Sequence, residues 1–363
     1  MKKKVLATVL SCSLALSMVA CGSTETETAT NEENSTEEAA SEETATEEAT
    51  TEDATTEETT AEDGQTFHVG ISQLVEHPAL DLATQGFQEK LTELLEADGY
   101  SVEFDYQNAQ GEAANCATIA TKFVNDGDDL IMANATAALQ ACAAATGDIP
   151  IVGTSITDYV TAGVVDSNDA PGTNVTGTSD LAPVDKQIEI LTTVAPDATM
   201  VGILYCSAEP NSKFQAELAE QYLDEAGIAW EEYTCADSNE LQSVVTNAAS
   251  SCDCFYIPTD NTIADNMEIV ENVTVPAGIP VICGEENMCK SGGLATLSIS
   301  YYEVGTSAAE TAYEILVNGA DPATTPISFV SDNIVPEYNP VVAEAIGWDE
   351  SVFADFTALE IEE

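Results

Sequence analysis

The chain has 363 residues and a net charge of −57, with 65 Asp and Glu against 8 Lys and Arg. A polyanion without a basic stripe is not a nucleic-acid binder, and an anionic lipid surface repels it. All the cations are lysine, so the bidentate guanidinium clamp suited to phosphate, sulfate or dicarboxylates is missing, which favours a neutral, zwitterionic or cationic ligand.

Residues 1–20 read as an export signal. Met1-Lys2-Lys3-Lys4 is a basic start, and residues 5–20 are an apolar, small-residue run too short for a comfortable membrane span. The run ends in Met18-Val19-Ala20-Cys21-Gly22, which resembles a bacterial lipobox. That resemblance implies that Cys21 receives a diacylglyceryl group and becomes the mature N-terminus, a lasting two-chain anchor. Residues 21–66 read as an acidic Thr/Glu-rich tether. They hold no aromatic residue and no Val, Ile or Leu, so they cannot bury enough apolar surface to offset chain entropy and are expected to be disordered. As flexible coil this stretch averages roughly 35–40 Å end to end.

The body from Phe67 onward is long enough for two domains. Apolar runs and helical periodicity predict strands at 67–72, 102–106, 130–133 and 149–152, with helices at 79–97, 112–125 and 135–146 between them. The pattern then restarts. Helices are predicted at 183–194, 212–226, 241–249, 264–273 and 304–317, and strands at 200–205, 229–234, 254–257, 279–282 and 294–299. Two β-α-β-α-β runs imply an α/β fold of two doubly wound parallel-sheet lobes joined by a hinge. Ligand loops then lie at strand C-termini, facing an interlobe cleft.

Eight cysteines fall in the body, and export makes disulfides possible. Cys206 and Cys235 end neighbouring predicted strands and are the first candidate pair; the alternative is that several are buried small hydrophobes. Only His68 and His77 are present, and no paired CxxC occurs, so neither a metal site nor a cofactor is expected.

The loops after the strands carry the polar clusters. In the first half these are Gln73 to Asp81, with His77 before Pro78 at a helix start; Asn134, a natural N-cap, with Thr136; and Ser155, Thr157 and Asp158. In the second half they are Asn211, then Asp260 and Asn261, then Glu285. Hydroxyls and helix N-termini of the first lobe suit a carboxylate, while Asp260 and Glu285 suit an ammonium. Trp230 and Trp348 read as core. Tyr159, Tyr301 and Tyr302 are candidates to stack on a ligand ring.

Four stretches carry a closer likeness: His77-Pro78-Ala79-Leu80-Asp81, Gly172-Thr173-Asn174-Val175-Thr176-Gly177-Thr178-Ser179-Asp180, Tyr256-Ile257-Pro258-Thr259-Asp260-Asn261, and Gly284-Glu285-Glu286 through Gly292-Gly293-Leu294-Ala295-Thr296. Together they resemble the tryptophan- and tyrosine-binding lipoproteins that serve ABC transporters, over nearly all of 67–347. The resemblance implies a type I periplasmic-binding-protein fold, with lobe 1 from 67–180 plus about 300–328 and lobe 2 from 181–299 plus about 329–363. It implies an amino acid-like ligand, often aromatic, an ABC permease with its ATPase as partners, a monomer, and a place on the outer face of a Gram-positive cell membrane. Carried over residue by residue, it implicates Gln73, His77, Thr136, Ser155, Thr157, Asp158, Asn211, Asp260 and Asn261. Where many relatives have Asp before two tyrosines, this chain has Ser300-Tyr301-Tyr302, which bears on the grip on an ammonium. No nucleophile elbow, P-loop or dinucleotide fingerprint appears, so no enzyme is expected. The alternatives are a stand-alone sensory ligand-binding lipoprotein or an importer component for another small neutral or cationic solute.

Overall fold

Uncharged apolar runs become strands sealed on both faces, and amphipathic runs become the helices that seal them. The computed structural model describes residues 64–330 and 334–361; the export signal, Cys21 and most of the tether fall outside these.

Lobe 1 starts with Thr66–Gln73 (β1) and Pro78–Ala97 (α1), which has Pro78 at its first position. Ser101–Asn108 (β2) is a half-buried edge strand. Ala113–Asp126 (α2) stops at Gly127, whose φ of 75° suits a residue without Cβ. Leu130–Asn134 (β3), Thr136–Ala145 (α3) and Ile151–Ile156 (β4) follow, then Val175–Ser179 (β5). Strands β3, β4 and β5 are buried at every position. Periodicity does not predict β5, because its Thr-Gly-Thr-Ser stretch lacks an apolar run. A Cβ on Gly177 would lie 2.1 Å from the Gly153 carbonyl oxygen, so only glycine lets β5 reach β4.

Lobe 2 contains Val184–Val194 (α4), Met200–Cys206 (β6), Pro210–Ala226 (α5), Ala229–Cys235 (β7), Ser238–Ala248 (α6) and Cys254–Ile257 (β8). It continues with Asn261–Ala264 (α7), Met267–Ala277 (α8), Val281–Cys283 (β9), Glu286–Lys290 (α9) and Ala295–Leu297 (β10). Helix α6 begins ahead of the predicted 241 because Asp237 caps it, accepting from the Asn239 N–H at 2.8 Å. The helix predicted at 264–273 is divided at Asp265 and Asn266 into α7 and α8.

The chain then returns to lobe 1 for Tyr301–Leu316 (α10) and Ser328–Phe329 (β11). It finishes in lobe 2 with Pro336–Tyr338 (β12), Pro340–Ala345 (α11) and Thr357–Ala358 (β13). Among the described residues the sheets run β11-β5-β4-β3-β1-β2 and β13-β12-β10-β9-β8-β6-β7. The chain thus passes between sheets after β5, after β10 and after β11. One pair departs from the expected parallel arrangement: β12 runs antiparallel to β10.

All eight body cysteines are buried free thiols. Cys206 and Cys235 do face each other in register across β6 and β7, but no disulfide joins them. Tyr159, a candidate stacking residue, is instead fully buried in lobe 1, its hydroxyl donating to the Thr178 carbonyl at 3.1 Å. Tyr302 is exposed and donates to Glu89. Trp230 and Trp348 pack against the lobe 2 core.

Helices α1 and α10 meet backbone to backbone. A Cβ on Gly305 would stand 2.0 Å from the Ala83 carbonyl oxygen, and one on Gly86 would stand 2.3 Å from that of Tyr302. Gly305→Ala should therefore force the helices apart and destabilise the body by about 1–3 kcal/mol. An unchanged midpoint in urea unfolding would show that the contact has slack.

Candidate functional site

The lobes meet at a cavity of about 10 Å³, with room for roughly one water molecule. His77, Leu80, Ser155, Thr157, Asp180 and Tyr301 line it from the lobe 1 side and the crossovers. Asn211, Thr259, Asp260, Asn261, Ala264 and Glu285 line it from lobe 2.

Two strained residues shape the lobe 1 wall. Ala135, at the N-terminus of α3, has φ 83° and ψ 154°, a region reserved almost wholly for glycine. Ser155 has φ 57°, at the point where the β4–β5 register shifts. The Ser155 hydroxyl is buried without a partner, as is His77 Nδ1. Helices α1 and α3 both start without a side-chain cap, which leaves backbone donors at their ends.

Hydrogen bonds cross the cleft at two places. Gln215 Nε2 donates to Thr157 Oγ1 at 3.3 Å, and His77 Nε2 lies 3.3 Å from Asn261 Oδ1. Thr157 Oγ1 also donates to Asp180 Oδ1 at 3.1 Å, and the Tyr301 hydroxyl donates to Asp180 Oδ2 at 2.9 Å. Asp180 follows β5 and Tyr301 opens α10, so this carboxylate ties two crossovers to a cleft loop.

The lobe 2 wall is acidic. Asp260 caps α7: Oδ1 accepts from the Ile263 N–H at 2.8 Å and Oδ2 from the Cys206 N–H at 2.7 Å. Glu285 caps α9 through the N–H groups of Asn287 at 2.7 Å and Met288 at 2.5 Å. Glu209 Oε2 holds both the backbone and side-chain N–H of Asn261, at 3.0 and 2.7 Å. Burial pushes Asp180 up to about 6 and Glu285 up to about 7. Burial, joined by the charge of Glu209, holds Asp260 well above the usual carboxylate range. No lysine lines the cavity among the described residues, and burial keeps His77 below its ordinary value.

Of the sequence candidates, His77, Ser155, Thr157, Asn211, Asp260, Asn261, Glu285 and Tyr301 come together here. Others do not line the cavity. Gln73 is buried as a brace, its amide donating to Val75 O and Asp81 and accepting from Thr84. Asn134 does not cap α3; its amide donates to Leu80 O at 2.8 Å and to Thr84 Oγ1 at 3.0 Å, tying β3 to α1. Thr136 is buried as the first residue of α3. Asp158 caps a turn through the Thr161 N–H at 2.6 Å. Ser300 is exposed and caps α10 through the Glu303 N–H at 3.3 Å, so its difference from Asp does not touch the cavity. Asp180, Glu209, Thr259 and Gln215 were missed as site residues. Glu209 did carry a signal, as the residue before a helix-starting proline.

The described residues contain no group of three or more His, Cys, Asp or Glu placed to hold a metal, and no helix long and apolar enough to cross a membrane. A family profile described as "ABC transporter substrate binding protein" matches residues 68–337. The chain belongs to this family. It is therefore a binding protein that serves an ABC transporter, rather than an enzyme. It is 41% identical to a tyrosine-binding protein of Clostridioides difficile over 71% of this chain and 76% of that one. Among solved structures, an ABC domain from Streptococcus pneumonia in complex with L-Trp aligns with TM-score 0.77 at 33% identity, covering 81% of this chain and all of that one. A ligand-free, open substrate-binding protein with adhesive properties from Clostridium difficile aligns with TM-score 0.63 at 36% identity, covering 82% of this chain and all of that one. At near-equal identity, the chain aligns better with the ligand-bound relative than with the open one.

The raised carboxyls fix a sign for pH. Folded Glu285 and Asp180 bind protons more tightly than in the unfolded chain, so they contribute stability at low pH that is lost as pH rises through about 6 to 7. His77, held neutral by burial, works the other way below its ordinary 6.5. The Glu285 share is isolated by comparison with Glu285→Gln. Wild type should gain more stability than the variant between pH 7.5 and 5.5, at about 1.4 kcal/mol per pH unit once below about 7. Parallel urea-unfolding curves at both pH values would refute the buried, raised carboxyl.

Proposed function

We propose that this protein captures an aromatic α-amino acid of the tyrosine or tryptophan type in the interlobe cleft and delivers it to an ABC importer. The observation that carries this reading is the buried carboxyl wall, with no lysine lining the cavity among the described residues, opposite the unpaired Ser155 hydroxyl of the other lobe. An ammonium meets Asp260 and Glu285 on one side, and a carboxylate meets the Ser155 hydroxyl on the other. The relatives' ligands supply the side-chain class.

A cavity of about 10 Å³ lies far below ordinary ligand pockets of roughly 300–1,000 Å³. Entry therefore needs the lobes to part, and the ligand favours reclosure by bridging them. The hinge lies where the three crossovers pass. Cys21, after Met18-Val19-Ala20, carries the lipid that holds the protein at the outer membrane face. Residues 21–66 span the distance to the binding body, and the closed body docks on the permease.

Calorimetry and thermal shift against the amino acids test this. A tyrosine or tryptophan isotherm is expected, and a ligand at a hundred times its Kd should stabilise the body by about 2.7 kcal/mol. Absence of heat and of any shift with every amino acid would end the reading. Glu285→Gln should weaken the bound amino acid at least about tenfold, or about 1.4 kcal/mol; unchanged affinity would remove Glu285 from the ammonium site.

A further inference from the structure

The hydrogen bonding of one amide fixes the tautomer of His77. Asn261 Nδ2 donates to Glu209 Oε2 at 2.7 Å, so the amide oxygen is the atom that faces His77 Nε2 at 3.3 Å. An amide oxygen only accepts, so Nε2 carries the proton. The ring is neutral, because burial outweighs the pull of Asn261, Asp81, Glu209 and Asp265. A neutral imidazole protonated on Nε2 leaves a bare lone pair on Nδ1, and Nδ1 is buried without a partner.

Two apolar side chains line the same cavity as His77. Leu80 lies three residues beyond His77 at the start of α1, and Ala264 lies three beyond Asn261 in α7. All four residues line the cavity. Asp260 and Glu285 suit the ammonium, whereas Leu80 and Ala264 bring apolar surface to the cavity and His77 Nδ1 brings an acceptor.

We infer that His77 Nδ1 accepts a hydrogen bond from the side chain of the ligand, a phenol O–H or an indole N–H, and so sets specificity within the aromatic class. This rests on the amino acid reading above. A ligand without that donor leaves a buried acceptor unpaired, and sites of this kind reject such analogues far more strongly than they reject a changed methylene.

The test compares each amino acid with an isostere lacking the donor: tyrosine with phenylalanine, and tryptophan with 3-benzothienylalanine. Wild type should prefer the donor-bearing member of at least one pair by roughly 10- to 100-fold. His77→Leu should abolish that preference by weakening the donor-bearing ligand more than its isostere, since the lost Asn261 bond across the cleft falls on both, and His77→Gln, which keeps an acceptor, should restore part of it. The His77 side chain caps no backbone group of α1, so the substitutions leave the helix start intact. Nitrogen-15 NMR of histidine-labelled wild type gives an answer independent of any variant, since the chain holds only two histidines. The His77 Nδ1 resonance should move upfield with tyrosine or tryptophan and stay in place with the isosteres. Equal losses for ligand and isostere in His77→Leu would assign His77 to the shared head group and overturn the inference. So would a wild type indifferent within both pairs, or a proton on Nδ1. A wild type that binds none of the four compounds overturns the aromatic reading itself, and this inference with it.

Discussion

The Asp180 carboxylate is the point where the moving parts of the molecule meet. It belongs to the first crossover, accepts from Tyr301 at the end of the second, and accepts from Thr157 in the cleft loop that Gln215 of lobe 2 also reaches. A carboxylate sealed from water needs such donors or it takes up a proton. Parting the lobes breaks the Gln215–Thr157 bond and alters the surroundings of the same carboxylate. Charge at the hinge and contact across the cleft are thus one coupled system.

The second constraint is electrostatic. Asp260, Glu285 and Glu209 each hold backbone N–H groups at helix starts or strand ends, so they are structural caps, and Asp260 and Glu285 are cavity wall as well. The backbone N–H groups they hold offset part of the cost of burying these carboxyls. The chain has no arginine, no lysine among the described residues lines the cavity, and Lys290, which feels the charge of Glu285, is paired with Glu286. The negative potential therefore has no internal answer, which favours a guest carrying a positive group.

Lobe 1 contributes stiffness of a different kind. The contact of Gly86 and Gly305 brings α1 and α10 to backbone distance, which fixes His77 at one helix start and Tyr301 at the other. Ala135 and Ser155 hold conformations that an ordinary loop relaxes out of. The packed sheet beneath them keeps the strain in place. The result is a rigid wall with unpaired polar atoms, opposite a wall of capped carboxyls.

The alternation of apolar runs and amphipathic helices was enough to determine the α/β class, the two repeats and the loops where polar residues gather, because periodicity and turn chemistry act locally. The resemblance of short motifs to amino acid-binding lipoproteins was legible for the same reason. Strand β5 was not, because its burial comes from β4 and Tyr159 rather than from its own composition. Nor could the sequence separate Asp260, which lines the cavity, from Gln73, Asn134 and Asp158, which brace or cap outside it. All four are polar residues near strand ends, and only the path of the backbone decides which way they serve. Glu209 and Asp180 escaped notice because a carboxylate before a proline, or at the end of a Thr-Gly-Thr-Ser stretch, gains meaning only when distant N–H and O–H groups converge on it. The tertiary structure decided the chemistry of the cleft, since burial and hydrogen-bond partners set charge, and both come from residues far apart in the chain.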